Sequence, residues 1–404
     1  MDLNKKLVIA AEDGDEKIVI EMLSKGASPD AMGPNSGALH CAAFNGHRNI
    51  VKLLLEKGAN PNVPDNQSFY PLHLATSKKE LEIVKDLLAH GADINVTTDK
   101  LGTILHLAAA IDFYDILDLN EIKKMNIEAR DYEQKTVLNI AASCGSYTMG
   151  WRIVQLGADV HTQDHLGYTP MLNALRSLNN DKVETWSIEG SNEGVNTKYQ
   201  IINGCFRYIN PYKGGANEMG RVLSLMDQYS ICGYSWGPKE HFLYVKSLLL
   251  MENLLKNGAN FDFQGDNGNK AMALACSVGE PEAIKLLAKE GISFDVKNDK
   301  GVFPLHYLAR SKRIDGLKAY YKWNENGDSN VLDSNGWTPG HYFADMGGHA
   351  DMAKLLIKNG LDLSVKSTAA FGPFPIGTTA REVAEHWNDD AASTLLTPKK
   401  KKVK

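Results

Sequence analysis

Long apolar runs are missing from this sequence: no stretch approaches the roughly 18–20 residues that cross a bilayer. The opening MDLNKKLVIAAEDGDE follows its lysine pair with only about five apolar residues, too few for a secretory h-region. A soluble chain without a classical export signal is expected. Cysteine is also scarce. Cys41, Cys144, Cys205, Cys232 and Cys276 are odd in number, scattered, and never in a CxxC pair, which excludes a disulfide framework and suits a reducing compartment. Cys41, Cys144 and Cys276 fall in predicted helices, where a small buried thiol packs like alanine. There is no GxxxxGK[ST] phosphate loop, and the glycines of KGGANEMG follow no clear strand. Kinase, Fic-like and methyltransferase signatures are lacking too, so neither a cofactor nor a metal is expected. Net charge is −5, yet the last seven residues hold five lysines; without those five charges the body stands at −10, which disfavours sustained nucleic-acid binding.

What the chain has instead is a period. Leu39, Leu72, Leu105, Leu138 and Met171 follow one another at intervals of 33 residues, and Leu305 follows Met272 by the same step. A fixed period of that size marks a solenoid, whose units bury their apolar faces only by stacking. Each unit reads as a turn with proline at a tolerated first-turn position, a first helix, a second helix of the IVKLLLEKG type ended by glycine, and an extended return.

Two half-motifs recur in phase. Tyr70-Pro71-Leu72-His73-Leu74-Ala75 and Thr103-Ile104-Leu105-His106-Leu107-Ala108 match T-P-L-H-x-A, while Leu54–Asn62 and Leu87–Asn95 match L-L-x-x-G-A-x-x-N. In these residues the chain resembles an ankyrin-repeat protein. The resemblance implies an all-α ankyrin-repeat solenoid of about nine repeats, with hairpin-like loops and one mid-array insertion.

The expected layout is an N-terminal array over 1–176, an inserted or eroded segment over 177–240, and a C-terminal array over 241–368. A linker with a capping half-repeat follows over 369–397, then a basic tail over 398–404. Repeat one, about 3–33, lacks the T-P-L-H phrase and reads as a polar cap. Repeat four is shortened: Met125-Asn126-Ile127 stands where its turn should be. From Met171 the next matching slot is Met272, a gap of 101 residues. An insertion within repeat six is favoured over two eroded repeats, since no repeat phrase occurs near 204 or 237.

Four groups of residues are candidates for function. His40, His73 and His106 share one phase but sit a repeat apart, too far to share an ion at Zn–N distances near about 2 Å. The family resemblance implies that each hydrogen-bonds across the turn at its helix start. Cys205, Cys232, Asp227 and His241 of the insert could supply a Cys–His nucleophile pair. That alternative is a cysteine-dependent, protease-like enzyme whose repeats select the substrate; no local signature surrounds either cysteine. Lys399, Lys400, Lys401, Lys402 and Lys404 resemble a short nuclear import signal, which would engage an import receptor. Finally, Asn62 and Asn95 fit the spacing of ankyrin asparagines hydroxylated in animal cells, or simply close their turns.

For ankyrin proteins the partner docks on hairpin tips and the inner-helix face. Carried over, the tip slots are Asn66, Gln67, Phe69, Lys100 and Tyr132, followed by Glu133, Lys135, His165, Tyr168 and Trp337. Phe69, Tyr168 and Trp337 lead, because exposed aromatics are enriched among interface hot spots. The expectation is thus a monomeric, non-enzymatic binder of a protein partner. Its eroded repeats resemble ankyrin effectors that intracellular bacteria deliver into eukaryotic host cells, where the tail would direct it to the nucleus. A eukaryotic cytosolic scaffold is the remaining alternative.

Overall fold

The computed structural model describes residues 2–98, 102–178, 199–202, 205–208, 248–259, 270–311, 313–325, 327–347 and 350–398. The chain divides into two compact units, Met1–Pro170 and Met171–Lys404. In the first, helices come in pairs: α1 (Leu3–Asp13) with α2 (Glu16–Ser24), α3 (Ala38–Phe44) with α4 (Arg48–Glu56), and α5 (Pro71–Ser77) with α6 (Leu81–Ala89). Then follow a short hairpin (Thr97–Thr98 with Gly102–Thr103), α7 (Ile104–Ala110), α8 (Val137–Ser143) and α9 (Tyr147–Gln155).

These helices have 7 to 11 residues, below the roughly 12–15 at which an isolated helix holds in water. Stacking supplies what propensity cannot. First helices pack in series, α1 on α3 on α5 on α7 on α8, and second helices likewise, α2 on α4 on α6. The period-33 slot is the core: Leu39, Leu72, Leu105, Leu138 and Met171 are all buried. On α4 the buried residues are Ile50, Val51, Leu54 and Leu55, the spacing of one helix face. Each such aliphatic contributes about 1.5–3 kcal/mol on burial.

Repeat four departs from the pattern in the way its sequence foretells. Its second helix is replaced by two 3₁₀ turns, Tyr114–Asp118 and Ile122–Lys124. The turns still bury Ile116, Leu117 and Ile122, and Arg152 of α9 donates to the Tyr114 carbonyl at 3.0 Å.

The second unit contains α10 (Pro170–Ser177), the hairpin Tyr199–Ile202 with Cys205–Tyr208, and α11 (248–256). The array resumes with α12 (Ala271–Val278), α13 (Pro281–Lys289), α14 (Pro304–Ser311) and α15 (Ile314–Trp323). It ends with α16 (Pro339–Asp345), α17 (Ala350–Lys358), α18 (Ala380–His386) and α19 (Asp390–Leu395). Here α12, α14, α16 and α18 stack in one series and α13, α15, α17 and α19 in the other. Met272 and Leu305 are buried in it like their counterparts in the first unit. Between α17 and α18, bridges Lys366↔Thr379 and Phe371↔Phe374 close residues 369–377 into a turn. Apart from the 199–208 strands, nearly all of the expected 177–240 insertion lies outside the described residues.

Candidate partner-binding site

The tips between helix pairs are built on one repeated device. The carboxylate Oδ1 of Asp65 accepts from the backbone N–H of Gln67 and of Phe69, both at 2.9 Å. Asp131 does the same for Glu133 and Lys135, Asp164 for Leu166 and Tyr168, and Asp333 for Asn335 and Trp337. Asn298 holds Lys300 and Val302 through its amide oxygen. One side-chain acceptor thus satisfies two turn donors and fixes the loop. The residue three positions on is left-handed in all five: Ser68, Gln134, Gly167, Gly301 and Gly336. Sequence reading missed this device, although an Asp or Asn three residues before a Gly, Ser or Gln recurs at each tip and could have revealed it.

Neighbouring tips are tied together. The Asn66 N–H donates to the Asn35 carbonyl at 3.3 Å, and His165 donates its N–H and its ring Nδ1–H to the Glu133 carbonyl at 3.0 and 2.9 Å. Asn66, Gln67, Tyr132 and His165 are exposed, and Tyr132 retains 64 % of its surface. Phe69, Glu133 and Lys135 are half-buried, the latter two paired as an ion pair. Lys100 lies outside the described residues.

Two of the three leading aromatics are not on this surface. Tyr168 and Trp337 are only 3 % and 1 % exposed. Their N–H groups bond back to the tip carboxylates of Asp164 and Asp333, as that of half-buried Phe69 does to Asp65. Trp337 then becomes the centre of an aromatic cluster, edge-on to Phe371 at 4.7 Å and to Tyr342 at 5.9 Å. A second correction concerns Cys144. It is the residue that caps α8 and it is exposed, whereas Cys276 is buried and Cys41 partly so.

The phase-locked histidines are buried hydrogen-bonding centres. His106 accepts at Nδ1 from the Thr103 N–H (3.2 Å), and its Nε2 donates to the carbonyls of Ala129 (3.0 Å) and Lys135 (3.2 Å). Two carbonyls can only accept, so Nε2 carries the proton. His306 accepts from the Phe303 N–H and donates to Trp337; His341 repeats this with Thr338 and Thr378; His40 donates to Val63. Burial lowers the basicity of each, in His306 to a pKa of about 4.

His73 is different. It is fully buried, yet both ring nitrogens lack a hydrogen-bond partner among the described residues; only the Gly102 carbonyl comes near, outside bonding geometry. Burial lowers its pKa to about 4. His73 lines a cavity of about 350 Å³ in the first unit, whose apolar wall is Phe44, Phe69, Leu74 and Leu107. That volume is at the low end of the roughly 300–1,000 Å³ of small-ligand pockets. Sequence reading placed Phe69 and Gln67 at this tip but not the cavity beside them, because the wall comes from three successive repeats.

Asn62 and Asn95, the candidate hydroxylation sites, are both exposed. Asn62 spans to the next repeat: its Nδ2 donates to the Gly91 carbonyl at 2.8 Å and its Oδ1 accepts from the Asp93 N–H at 2.7 Å. Among the described residues no group of three His, Cys, Asp or Glu side chains is placed to hold a metal, and no helix is long and apolar enough to cross a membrane. The side chains of Cys205, Cys232, Asp227 and His241 lie outside the described residues, as do Lys399, Lys400, Lys401, Lys402 and Lys404.

The family model described as ankyrin repeats (3 copies) matches residues 7–98, 72–164 and 243–321, more than half of the chain. The chain belongs to the ankyrin-repeat family. Its fold is accordingly an all-α ankyrin solenoid. Similar curated proteins include human transient receptor potential cation channel subfamily A member 1, 30 % identical over 108 residues (25 % of this chain, 10 % of that protein). The Drosophila melanogaster tyrosine-protein kinase Shark is 30 % identical over 132 residues (32 % of this chain, 14 % of that protein). Human SH3 and multiple ankyrin repeat domains protein 2 is 28 % identical over 153 residues (37 % and 8 %). The chain thus covers only 8 to 14 % of the length of these relatives, which share with it a stretch of ankyrin repeats. Ankyrin repeats imply protein partners.

Proposed function

We propose that this ankyrin chain is a non-enzymatic interaction module that binds a protein partner on the tip face of its first unit. The observation that carries the reading is the set of exposed tip residues: Asn66 and Gln67 beside the Phe69 cavity, with Asn66 tied to the preceding tip, and Tyr132 and His165 on two tips tied to each other through Glu133. Tips fixed by side-chain acceptors lose little ordering entropy when a partner docks. The names of the three relatives state a channel, a kinase and a multidomain SH3 protein. What they have in common with this chain is therefore a module and not one activity. Lys100, Glu133 and Lys135 belong to the same face in this reading, with Tyr168 acting as its buried support; Trp337 supports a tip of the second unit.

The cellular setting in this reading is a eukaryotic host cell, into which an intracellular bacterium delivers the protein. Its support is the shortened repeat four, together with the lysine-rich tail. The tail engages an import receptor and brings a monomer to the nucleus.

The experiment is affinity capture from eukaryotic cells with three forms: the intact chain, a form lacking 399–404, and Phe69→Ala/Tyr132→Ala/His165→Ala. The reading expects a partner captured by the first two and lost with the third, while only the tail deletion moves the protein out of the nucleus. Capture untouched by the triple variant removes this face from consideration. Nuclear signal unchanged by the deletion removes the address.

A further inference from the structure

Between α17 and α18 the chain carries more than its period needs. Thr338 and Thr379 hold the same N-cap slot in successive repeats but are 41 residues apart, eight more than the 33-residue step. The surplus is the loop 369–377. From Ser367 to Thr379 there is no charged residue, and Phe371, Pro373, Pro375 and Ile376 are exposed, Phe371 at 46 % and Ile376 at 70 %. The loop is rigid and largely satisfied within itself. Phe371 and Phe374 exchange N–H···O=C bonds of 3.0 Å in both directions. The Gly377 N–H donates to the Ser367 carbonyl and the Thr378 N–H to the Ser367 hydroxyl, while Pro373 and Pro375 have no N–H to satisfy. Phe374, buried against Trp337 and His386, pins the loop from below. A preformed apolar tip with its backbone bonds made internally loses little on leaving water.

The lysine run leaves the chain from the same end of this repeat. Residues 387–389 reverse the chain between the packed helices α18 and α19, so the end of α19 lies beside the start of α18, where the loop sits. Leu396 is buried there, and Pro398 is followed by Lys399, Lys400, Lys401, Lys402 and Lys404, within a reach of about 20 Å. Of the neighbouring carboxylates, Glu382 is engaged in capping Thr379 and Glu385 in pairing with Arg381. Asp389 and Asp390 stand at the opposite end of the helix pair. The negative charge of the other repeats is screened beyond about 8 Å at physiological salt. We infer that this end of the chain docks on an anionic lipid bilayer, with Phe371 and Ile376 entering the headgroup region and the lysines meeting its negative charge. Stable attachment to a bilayer takes two signals, and an apolar element beside a polybasic run supplies both. A groove on a protein would accept the tip and leave the lysines without a role. A nucleic acid would engage the lysines and leave the tip in water. The assignment goes beyond the protein-binding reading, which concerns the first unit, and the import reading uses the lysines but not the loop.

The test is co-sedimentation of the full chain with vesicles of phosphatidylcholine alone and of equal parts phosphatidylcholine and phosphatidylserine. Binding is expected only to the second, and it should weaken as salt is raised. Lys400→Gln/Lys402→Gln should lower the partition coefficient by about fivefold for each lysine. Ile376→Ser is the decisive variant, because so exposed a side chain can be cut back without loss of fold, which an unchanged melting temperature confirms. It should weaken binding to the anionic vesicles about tenfold. Phe371 is left intact, since its ring also packs on Trp337. No binding to the anionic vesicles overturns the assignment, as does equal binding to both compositions. Binding that needs the lysines but is undiminished in Ile376→Ser makes the contact purely electrostatic and removes the loop from it. A protein partner lost with Ile376→Ser, in the absence of vesicle binding, gives the tip to a protein groove and also overturns the assignment. None of these outcomes bears on the first-unit face, which Ile376→Ser leaves untouched.

Discussion

The Nε2–H of His306 donates to the Trp337 carbonyl across 2.9 Å, tying the first helix of one repeat to the tip of the next. The Phe303 N–H completes the ring's bonding at Nδ1, 3.1 Å away. His73 occupies the same slot of an earlier repeat and makes neither bond. Removing the two rings should therefore have opposite consequences. His306→Leu strands the Phe303 N–H and removes one of the two donors to the Trp337 carbonyl, which keeps the Asp333 N–H at 3.1 Å; it should cost about 1–3 kcal/mol, read as a lower urea midpoint. His73→Leu removes an unsatisfied group at similar volume and should be neutral or stabilising. Equal destabilisation by both would contradict the contrast.

Those two histidines also set a pH dependence. Each titrates near 4 in the folded chain because burial disfavours the imidazolium, against about 6.5 when unfolded. The unfolded chain therefore binds protons first as pH falls. Their contribution is complete above pH 6.5 and is lost as pH drops from there towards 4, on the order of 3 kcal/mol for each ring. Urea midpoints measured from pH 7.5 to 4.5 should fall most steeply below 6.5, and His73→Leu should flatten the curve. A wild-type midpoint that is level across that range would refute the linkage.

Two tips carry strain that their counterparts avoid. Ser68 and Gln134 stand at φ 64° and 59°, where the matching residues are Gly167, Gly301 and Gly336. A left-handed conformation costs a non-glycine residue about 1–2 kcal/mol. Ser68→Gly and Gln134→Gly should each raise stability by about 0.5–1 kcal/mol, after glycine's larger loss of chain entropy. The reverse change in the second unit should be worse than strain alone. A Cβ at Gly336 would come within 2.7 Å of the Thr368 backbone nitrogen, so Gly336→Ala should lower the melting temperature by more than either gain raises it. Stabilisation by Gly336→Ala would refute this.

Much of this architecture could be read before any coordinates. The slot shared by Leu39, Leu72 and Leu105 is core because a period of 33 places one face of each first helix against the next. The loss of the G-A phrase after Leu119 likewise pointed to the shortened second helix of repeat four. The site was legible only in part. Tip positions follow from phase, but exposure does not: Phe69 and Trp337 stand four residues after their tip carboxylates and make the same bond to them, yet Phe69 is half-buried while Phe371, Phe374 and Tyr342 enclose Trp337. The unpaired state of His73 was equally hidden, since its partners are backbone groups set by the path of the next hairpin.

Asn62 and Asn95 are another pair that sequence treats alike. Asn62 bonds both ends of its amide to the following repeat, at Gly91 and Asp93, and Asn330 repeats this in the second unit with Gly360 and Asp362. Among the described residues, Asn95 makes only a 3.4 Å contact to Asp93 from its side chain. Asn62→Ala and Asn330→Ala should each cost about 1–2 kcal/mol, and Asn95→Ala under about 0.5 kcal/mol. Denaturant midpoints of the three single variants check the order. A cost at Asn95 equal to that at Asn62 would show that the inter-repeat bonds do not carry the difference.

Tyr132 and Trp337 separate binding from stability. Tyr132 exposes 64 % of its surface, so Tyr132→Ala should leave the melting temperature within about 2 °C and act only on partner capture. Trp337 is enclosed by Phe371, Phe374 and Tyr342, and truncating it opens a large void in the second unit. Trp337→Ala should cost about 3–5 kcal/mol. Trp337→Phe keeps most of the ring contacts and removes the buried indole N–H, which has no partner among the described residues. Its cost should be well below that of alanine, since the lost volume is offset by relief of an unsatisfied donor. Thermal melts of the three variants, run beside capture assays, make the distinction. If Trp337→Phe abolishes capture with its melting temperature intact, Trp337 acts in recognition and not as the support beneath its tip.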